Sequence, residues 1–267
     1  MRISEPAPAK LNLALHVRGK LPDGRHALET MFAFCVDGDQ LEAEAAEGLS
    51  LDIAGPFADR LSVDDNLVLR AAQALREASG ATTGARLFLT KKLPVASGIG
   101  GGSADAAASL RILTRLWSID PKWAVEVAPR IGSDVPACLL SLSARGTEAG
   151  DELELVQDDT IPGTPVLLVN PGVPLSTGEV FARWGGVDHG GLGSWREGRN
   201  DLEEAARGMA PAIGDVLGWL QQQEGANFVR MSGSGATCFA LFDSEGARDA
   251  AAGECPSNWW HLATFLR

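Results

Sequence analysis

Four stretches of this 267-residue chain hold residue types that could do chemistry. The longest is Pro94-Val95-Ala96-Ser97-Gly98-Ile99-Gly100-Gly101-Gly102-Ser103-Ala104, which runs through Asp105 into Ala106, Ala107 and Ala108. Glycines allow backbone N–H groups to converge and a helix N-terminus adds partial positive charge, so a glycine run that opens an alanine-rich helix makes a cradle for phosphate. Ser103 there can place its hydroxyl on a phosphate oxygen or a cation, or cap the helix it begins. In the second stretch, alternation puts Lys10, Asn12, Ala14 and His16 on one face of a strand, opposite Leu11, Leu13, Leu15 and Val17. The third, Gly132-Ser133-Asp134-Val135-Pro136, is a helix entry at which Asp134 either caps or acts as a base. A lysine beside such a carboxylate favours its ionised form and lowers the cost of deprotonating a hydroxyl. The fourth, Gly233-Ser234-Gly235, is a second glycine turn.

Several phosphate-loop and nucleophile patterns fail on single residues. A Walker A loop needs Gly-Lys before Ser or Thr, and no Lys stands there. A dinucleotide fingerprint starting at Gly98 needs glycine where Ser103 stands. Protein kinases carry HRD and DFG motifs, which are absent, and no serine sits in G-x-S-x-G.

The segment 94–108 resembles the phosphate-binding motif of the GHMP kinases, which typically reads P-x-x-x-G-L-G-S-S-A-A. PAKLNLALHV, PDGRHALETMF, GGGSAD, GSDVPA, VNPGVPLSTGEVF, NDLE and SGSGATCF, in this order over residues 8–239, are similar to the branch that phosphorylates 4-diphosphocytidyl-2-C-methyl-D-erythritol. The resemblance implies a two-domain α+β GHMP kinase fold, with an N-terminal ribosomal-protein-S5-like domain and a C-terminal ferredoxin-like domain. It implies ATP and Mg²⁺ as cofactors and a small-molecule cytidine diphosphate substrate, phosphorylated on its 2-hydroxyl. By the same resemblance Asp134 is the catalytic base and Lys10 its electrostatic partner. Residues 94–104 hold ATP, Ser103 meets Mg²⁺, and Asn66 lies near the adenine. Asn12, His26, Thr177 and Phe181 bind the substrate, and Gly233-Ser234-Gly235 closes over the site. Two positions depart from the pattern. Asp105 replaces an Asn or Ala and must point away from the triphosphate or meet the metal. Arg25 replaces a tyrosine that, with a phenylalanine, sandwiches cytosine; this chain has no Tyr, so Arg25 must stack in its place or leave it empty. A homoserine- or mevalonate-type kinase, or a non-catalytic nucleotide-binding regulator, is the alternative.

Positioning these residues calls for alternating strands and capped helices. The first forty residues predict two strands joined by an ordered turn, with a further strand at 49–53. A helix to Ser79 is expected, capped by Asp64 or Asp65, with Leu67, Leu69, Ala71, Ala72 and Leu75 buried and Gly80 as its stop. Strand 86–93, the alanine-rich helix and a helix over 122–131 follow. From about residue 157 the pattern restarts with PVLLVNPG and a short helix capped by Ser176. Residues 185–200 read as loop, followed by helices near 201–208, 211–223 and 245–252 and a last strand in WWHLATFL. This gives two α+β halves, 1–156 and 157–267, the first with the ATP loop and catalytic residues, the second closing the substrate site.

A hydrophobic share of 45% excludes disorder, and a net charge of −12 argues against nucleic acid and acidic membrane surfaces. Lys91-Lys92 reads as a solvated strand end. No apolar run approaches a membrane span, and MRISEPAPAK lacks a signal-peptide core, so a cytoplasmic protein is expected; the assembly expected alongside is a monomer or weak homodimer. Cys35, Cys138, Cys238 and Cys255 read as free thiols.

Overall fold

The computed structural model describes residues 2–267, leaving outside them Met1, the first residue of the expected N-terminal half. Among the described residues ten strands and eight α-helices follow in the order β1 (Ile3–Lys20), β2 (His26–Ala46), β3 (Leu49–Ala54), α1 (Leu67–Ser79), β4 (Gly84–Thr90), α2 (Gly101–Leu116), α3 (Lys122–Ile131), α4 (Val135–Leu140), β5 (Ala144–Thr147), β6 (Glu152–Leu155), β7 (Pro165–Asn170), α5 (Thr177–Ala182), α6 (Glu203–Met209), α7 (Ala212–Gln221), β8 (Ala226–Met231), β9 (Cys238–Phe242), α8 (Glu245–Glu254) and β10 (Trp260–Phe265). The first six strands form one sheet, ordered β3-β4-β2-β5-β6 with β1 on β2. The last four form another, ordered β10-β7-β9-β8. Numbered within their own sheet these four run 4-1-3-2, the order of a ferredoxin-like sheet.

By compactness the chain divides into two interleaved units: residues 1–9, 37–95 and 100–141, and residues 10–36, 96–99 and 142–267. In the first unit β3 and β4 pair in parallel, which requires a crossover, and α1 supplies it. α2 packs on α1 through small residues: Ala104, Ala106, Ala107 and Ala108 are buried, and Ser109 Oγ donates to Val68 O at 3.0 Å. In the second unit β7 and β9 are central and buried, with Leu167, Val169 and Phe242 packed against Val216 and Leu220 of α7.

The structure corrects some expectations. α1 is capped by Asn66, whose Oδ1 accepts from Val68 N at 2.9 Å, and not by Asp64 or Asp65. Val68 is buried in place of Leu67 and Leu69, which are half-buried. α4 is the helix that the 132–136 entry opens, while β5 and β6 have no counterpart among the expected elements: they are four residues each, ARGT has no apolar alternation, and the alternation of ELEL is at the minimum length of a strand signal. Gly80 stops α1 in the left-handed conformation and Ser176 caps α5, both as expected. Cys35, Cys138 and Cys238 are buried and Cys255 is half-buried.

Candidate active site

In the first unit the glycine run becomes the N-terminus of α2. Gly100 caps it from the left-handed region, φ 64°, and no side chain bonds the cap. The first-turn N–H groups, which have no partner inside a helix, thus face no competing side-chain acceptor at the cap. A Cβ on Gly102 would meet Leu67 Cδ1 at 3.3 Å, and one on Gly101 would lie 3.0 Å from Lys91 Nζ. Ser103 is the third residue of α2. The cradle's requirements, close backbone approach and a helix dipole, are met, so the residues present fit a bound phosphate chain. Asn66 is buried; with its oxygen capping α1, its Nδ2 lies 3.4 Å from Ser62 O.

Asp134 precedes α4. Its side chain makes no cap hydrogen bond to that helix. Arg111 of α2 holds α4 in place by donating to Cys138 O at 2.7 Å.

Asp105, the departure at α2, points to neither solvent nor cap. Its Oδ2 and that of Asp39 each accept from Lys91 Nζ at 2.6 Å, and all three side chains are buried. Lys91 therefore is not a solvated strand end: it is 1% exposed. Burial alone would lower its pKa, but the carboxylates of Asp105 and Asp39 outweigh that and raise it. Burial, reinforced by Asp39 and opposed by Lys91, pushes the Asp105 carboxyl up to about 7.

The second unit gathers the polar face of β1. Lys10 Nζ donates to Asn12 Oδ1 at 2.8 Å and lies 5.4 Å from the Phe32 ring centroid, while Asn12 Nδ2 donates to Thr30 Oγ1 at 2.7 Å. Thr30 Oγ1 passes the chain on to Ala14 O at 2.7 Å. Asn12 is thereby fixed in rotamer and amide orientation, with both side-chain ends bonded. Lys10 N donates to Ile99 O at 3.0 Å, so residues 96–99 lie along β1. The glycine turn packs on the same residues. Ser232 Oγ accepts from Asn12 N at 3.1 Å and donates to Gly98 O at 3.0 Å, and Thr237 N donates to Ser97 O at 3.0 Å. Ser234 Oγ lies 3.0 Å from Thr177 Oγ1, which ties the second glycine turn to the start of α5. Ser97, Gly98, Ile99, Lys10, Asn12, Thr177 and Ser234 are thus brought together.

Arg25 and His26 lie at the start of β2. The His26 ring stacks on Phe181 at 4.7 Å between centroids, 26° between planes, with Trp184 edge-on at 5.8 Å. Burial, with Lys20 nearby, lowers the His26 pKa, which favours the neutral ring. Arg25 is half exposed and held by Asp23 at 2.7 Å and Asp151 at 2.8 Å. Sequence reasoning missed Asp39, Lys91, Thr30, Ser232 and Trp184 in these arrangements. Asp39 alone carries a usable signal, a carboxylate inside a strand, where Asp is disfavoured.

The fold and this arrangement define a class. The family models described as GHMP kinases N terminal domain and GHMP kinases C terminal match residues 66–141 and 188–260. A crystal structure of 4-(cytidine 5'-diphospho)-2C-methyl-D-erythritol kinase matches with TM-score 0.85 at 31% identity, covering 100% of this chain and 99% of that one. Homoserine kinase from Cytophaga hutchinsonii, at TM-score 0.73 and 18% identity over 99% of this chain and 95% of that one, shares the fold. The chain belongs to the GHMP kinase family, and so to the ATP-dependent small-molecule phosphotransferases. Two curated relatives are named 4-diphosphocytidyl-2-C-methyl-D-erythritol kinase. That of Rhizorhabdus wittichii is 50% identical, covering 100% of this chain and 96% of its own length; that of Novosphingobium aromaticivorans is 48% identical, covering 100% and 94%.

Proposed function

We propose that this chain acts on the substrate for which its relatives are named, phosphorylating the 2-hydroxyl of 4-diphosphocytidyl-2-C-methyl-D-erythritol with ATP. The observation that carries the reading is the N-terminus of α2, sixteen residues long, entered through glycine and closed by no side-chain cap, which suits a phosphate chain. Phosphoryl transfer asks the protein mainly for position and charge. The substrate hydroxyl oxygen bonds to the γ-phosphorus, the bond from that phosphorus to the β–γ bridging oxygen breaks, and ADP leaves. Asp134 receives the hydroxyl proton, and Lys10, held on Asn12, supplies positive charge to the reacting oxygen while Asn12 fixes the substrate. Residues 94–104 hold the triphosphate and Asn66 serves the adenine side through its amide. Among the described residues no group of three or more His, Cys, Asp or Glu could hold a metal ion. Mg²⁺ would therefore come with the phosphates, Ser103 lending its hydroxyl, as is usual for an ion that keeps most of its water.

His26, Phe181 and Thr177 receive the cytidine, and Arg25 covers the base. The halves 1–156 and 157–267 divide the work, the first binding ATP and the second closing on the substrate. A net charge of −12 keeps the enzyme apart from nucleic acid, and we infer further that it is cytoplasmic and a monomer or weak homodimer. Among the described residues no helix is long and apolar enough to cross a membrane. Phosphorus NMR of the protein with ATP, Mg²⁺ and the cytidine alcohol tests the proposal. A new phosphomonoester signal growing with ADP supports it; an unchanged diphosphate ester with ATP intact contradicts it.

A further inference from the structure

The chain leaves the first unit after Val95 and re-enters it at Gly100, so the glycine loop is a span whose two ends lie in one compact body. Those ends meet at a single buried ammonium. On the entering side, Asp39 Oδ1 accepts from the backbone N–H groups of Lys92 at 2.5 Å and Leu93 at 2.8 Å, immediately before the loop. Asp39 Oδ2 takes Lys91 Nζ, and on the returning side Asp105 Oδ2 takes the same nitrogen. The Lys91 backbone cannot slide, because its N–H donates to Ala54 O at 2.7 Å and the Gly55 turn packs directly on its carbonyl. Its ammonium lies directly against Gly101, the first residue of α2.

We propose that Asp39, Lys91 and Asp105 form an ionic clasp that closes the base of the glycine loop and holds the N-terminus of α2 in its phosphate-binding geometry, making all three positioning residues for the nucleotide. The proposal rests on the reading of residues 94–104 as the phosphate cradle. Stability alone does not account for the cluster. Two carboxylates face one ammonium, all buried, and Asp105 Oδ1 has no hydrogen-bond partner. A buried ion cluster of that kind is commonly no more stable than apolar side chains of the same volume. What it secures is the separation and orientation of two chain segments, and a misplacement of about 1 Å at a reacting group lowers rates by about a hundredfold.

Two variants and a control test the clasp, with ADP as probe. In Asp39→Asn/Lys91→Met/Asp105→Leu the ions are replaced together, while the amide oxygen introduced at position 39 can still accept the two backbone N–H groups. Asp105→Asn keeps an oxygen for Lys91 but not its charge. Gly102→Val puts a branch into the cradle where its Cβ meets Leu67 and not Lys91. The expected result is a triple variant that melts near the parent temperature, binds ADP about tenfold or more weakly with KM for ATP raised in step, and keeps its KM for the cytidine alcohol. Asp105→Asn should lose less in the same direction. Parental ADP affinity in the folded triple variant, alongside lost affinity in Gly102→Val, overturns the clasp and spares the cradle. Parental affinity in Gly102→Val overturns the cradle and the clasp with it. If the triple variant does not fold, Asp105→Asn decides alone, and a parental ADP affinity there overturns the clasp.

Discussion

Arg25 uses its Nε and one terminal nitrogen on Asp23 and Asp151, donors that lie in the guanidinium plane. A planar cation held by its edge is ready to stack on a base, and the faces cost nothing further to orient. Arg25→Ala is therefore expected to raise the KM for the cytidine substrate by about 5- to 30-fold, the loss of about 1–2 kcal/mol of stacking, with kcat less affected. Arg25→Tyr should recover most of it; steady-state kinetics on both variants is the check, and an unchanged KM in Arg25→Ala would leave Phe181 as a one-sided platform. For the reacting centre, Asp134→Asn should lower kcat by about a hundredfold or more while ADP affinity stays near parental. Lys10→Ala should also lower kcat, and the double variant should lose less than the product of the two if both act on one hydroxyl. At this scale the alternation of β1 marked the face on which Lys10 bonds to Asn12, and the glycine run marked the start of α2, where Ser103 stands. The sequence was not legible at Lys91, whose neighbour Lys92 is exposed and whose burial depends on Asp39, 52 positions away. A charged pair written Lys-Lys carries no mark of which member turns inward.

Glycine geometry and a histidine set what the elements tolerate. Gly98 has φ +78°, and a Cβ there would come within 2.4 Å of Ser232 O and 2.7 Å of Gly235 O. Gly98→Ala combines left-handed strain with overpacking against backbone, so it should destabilise the protein by at least about 2 kcal/mol, read as a lowered denaturation midpoint. His16 of β1 bridges to the 185–200 segment: Nδ1 faces Gly190 O at 3.1 Å and Nε2 accepts from Arg199 N at 3.2 Å, which requires the neutral ring with its proton on Nδ1. Burial is the main cause that lowers its pKa; the charge of Arg199 adds to it, against the Gly190 carbonyl, Asp201 and Glu29. The folded state thus binds fewer protons at His16 than the unfolded chain. The stability that follows is present above the ordinary value of 6.5 and is lost as pH falls through the lower folded value. Melting temperature should drop as pH is lowered from about 7 to about 5, and His16→Asn, which keeps a donor for Gly190, should flatten that slope. An unchanged slope would remove His16 from the account. The longer helices and the long strands with alternation were readable, and α3 covers the expected span. β5 and β6 were not readable, because a four-residue strand is made by its pairing, here Ala144 with Phe32 on one side and Leu155 on the other, more than by its own side chains.

For the molecule as a whole, order along the chain is kept in the two sheets: the first draws on residues 3–155 and the second on 165–265. It could not show that β1 and β2 each pass from one compact unit to the other, since the pattern of a long strand is the same on both sides of the crossing. That crossing assigns Lys10 and Asn12 to the unit that holds His26 and Phe181, and Gly100–Ala104 and Asp134 to the other. The account centres on one acceptor alcohol and one base. Coupled ADP release with a panel of 4-diphosphocytidyl-2-C-methyl-D-erythritol, homoserine, mevalonate and galactose, each with ATP and Mg²⁺, measures this directly. The account predicts turnover with the cytidine alcohol, at most traces with the other three, and loss of that turnover in Asp134→Asn. Comparable kcat/KM for any of the other alcohols, or acceptor-dependent ADP release that survives Asp134→Asn, would contradict it.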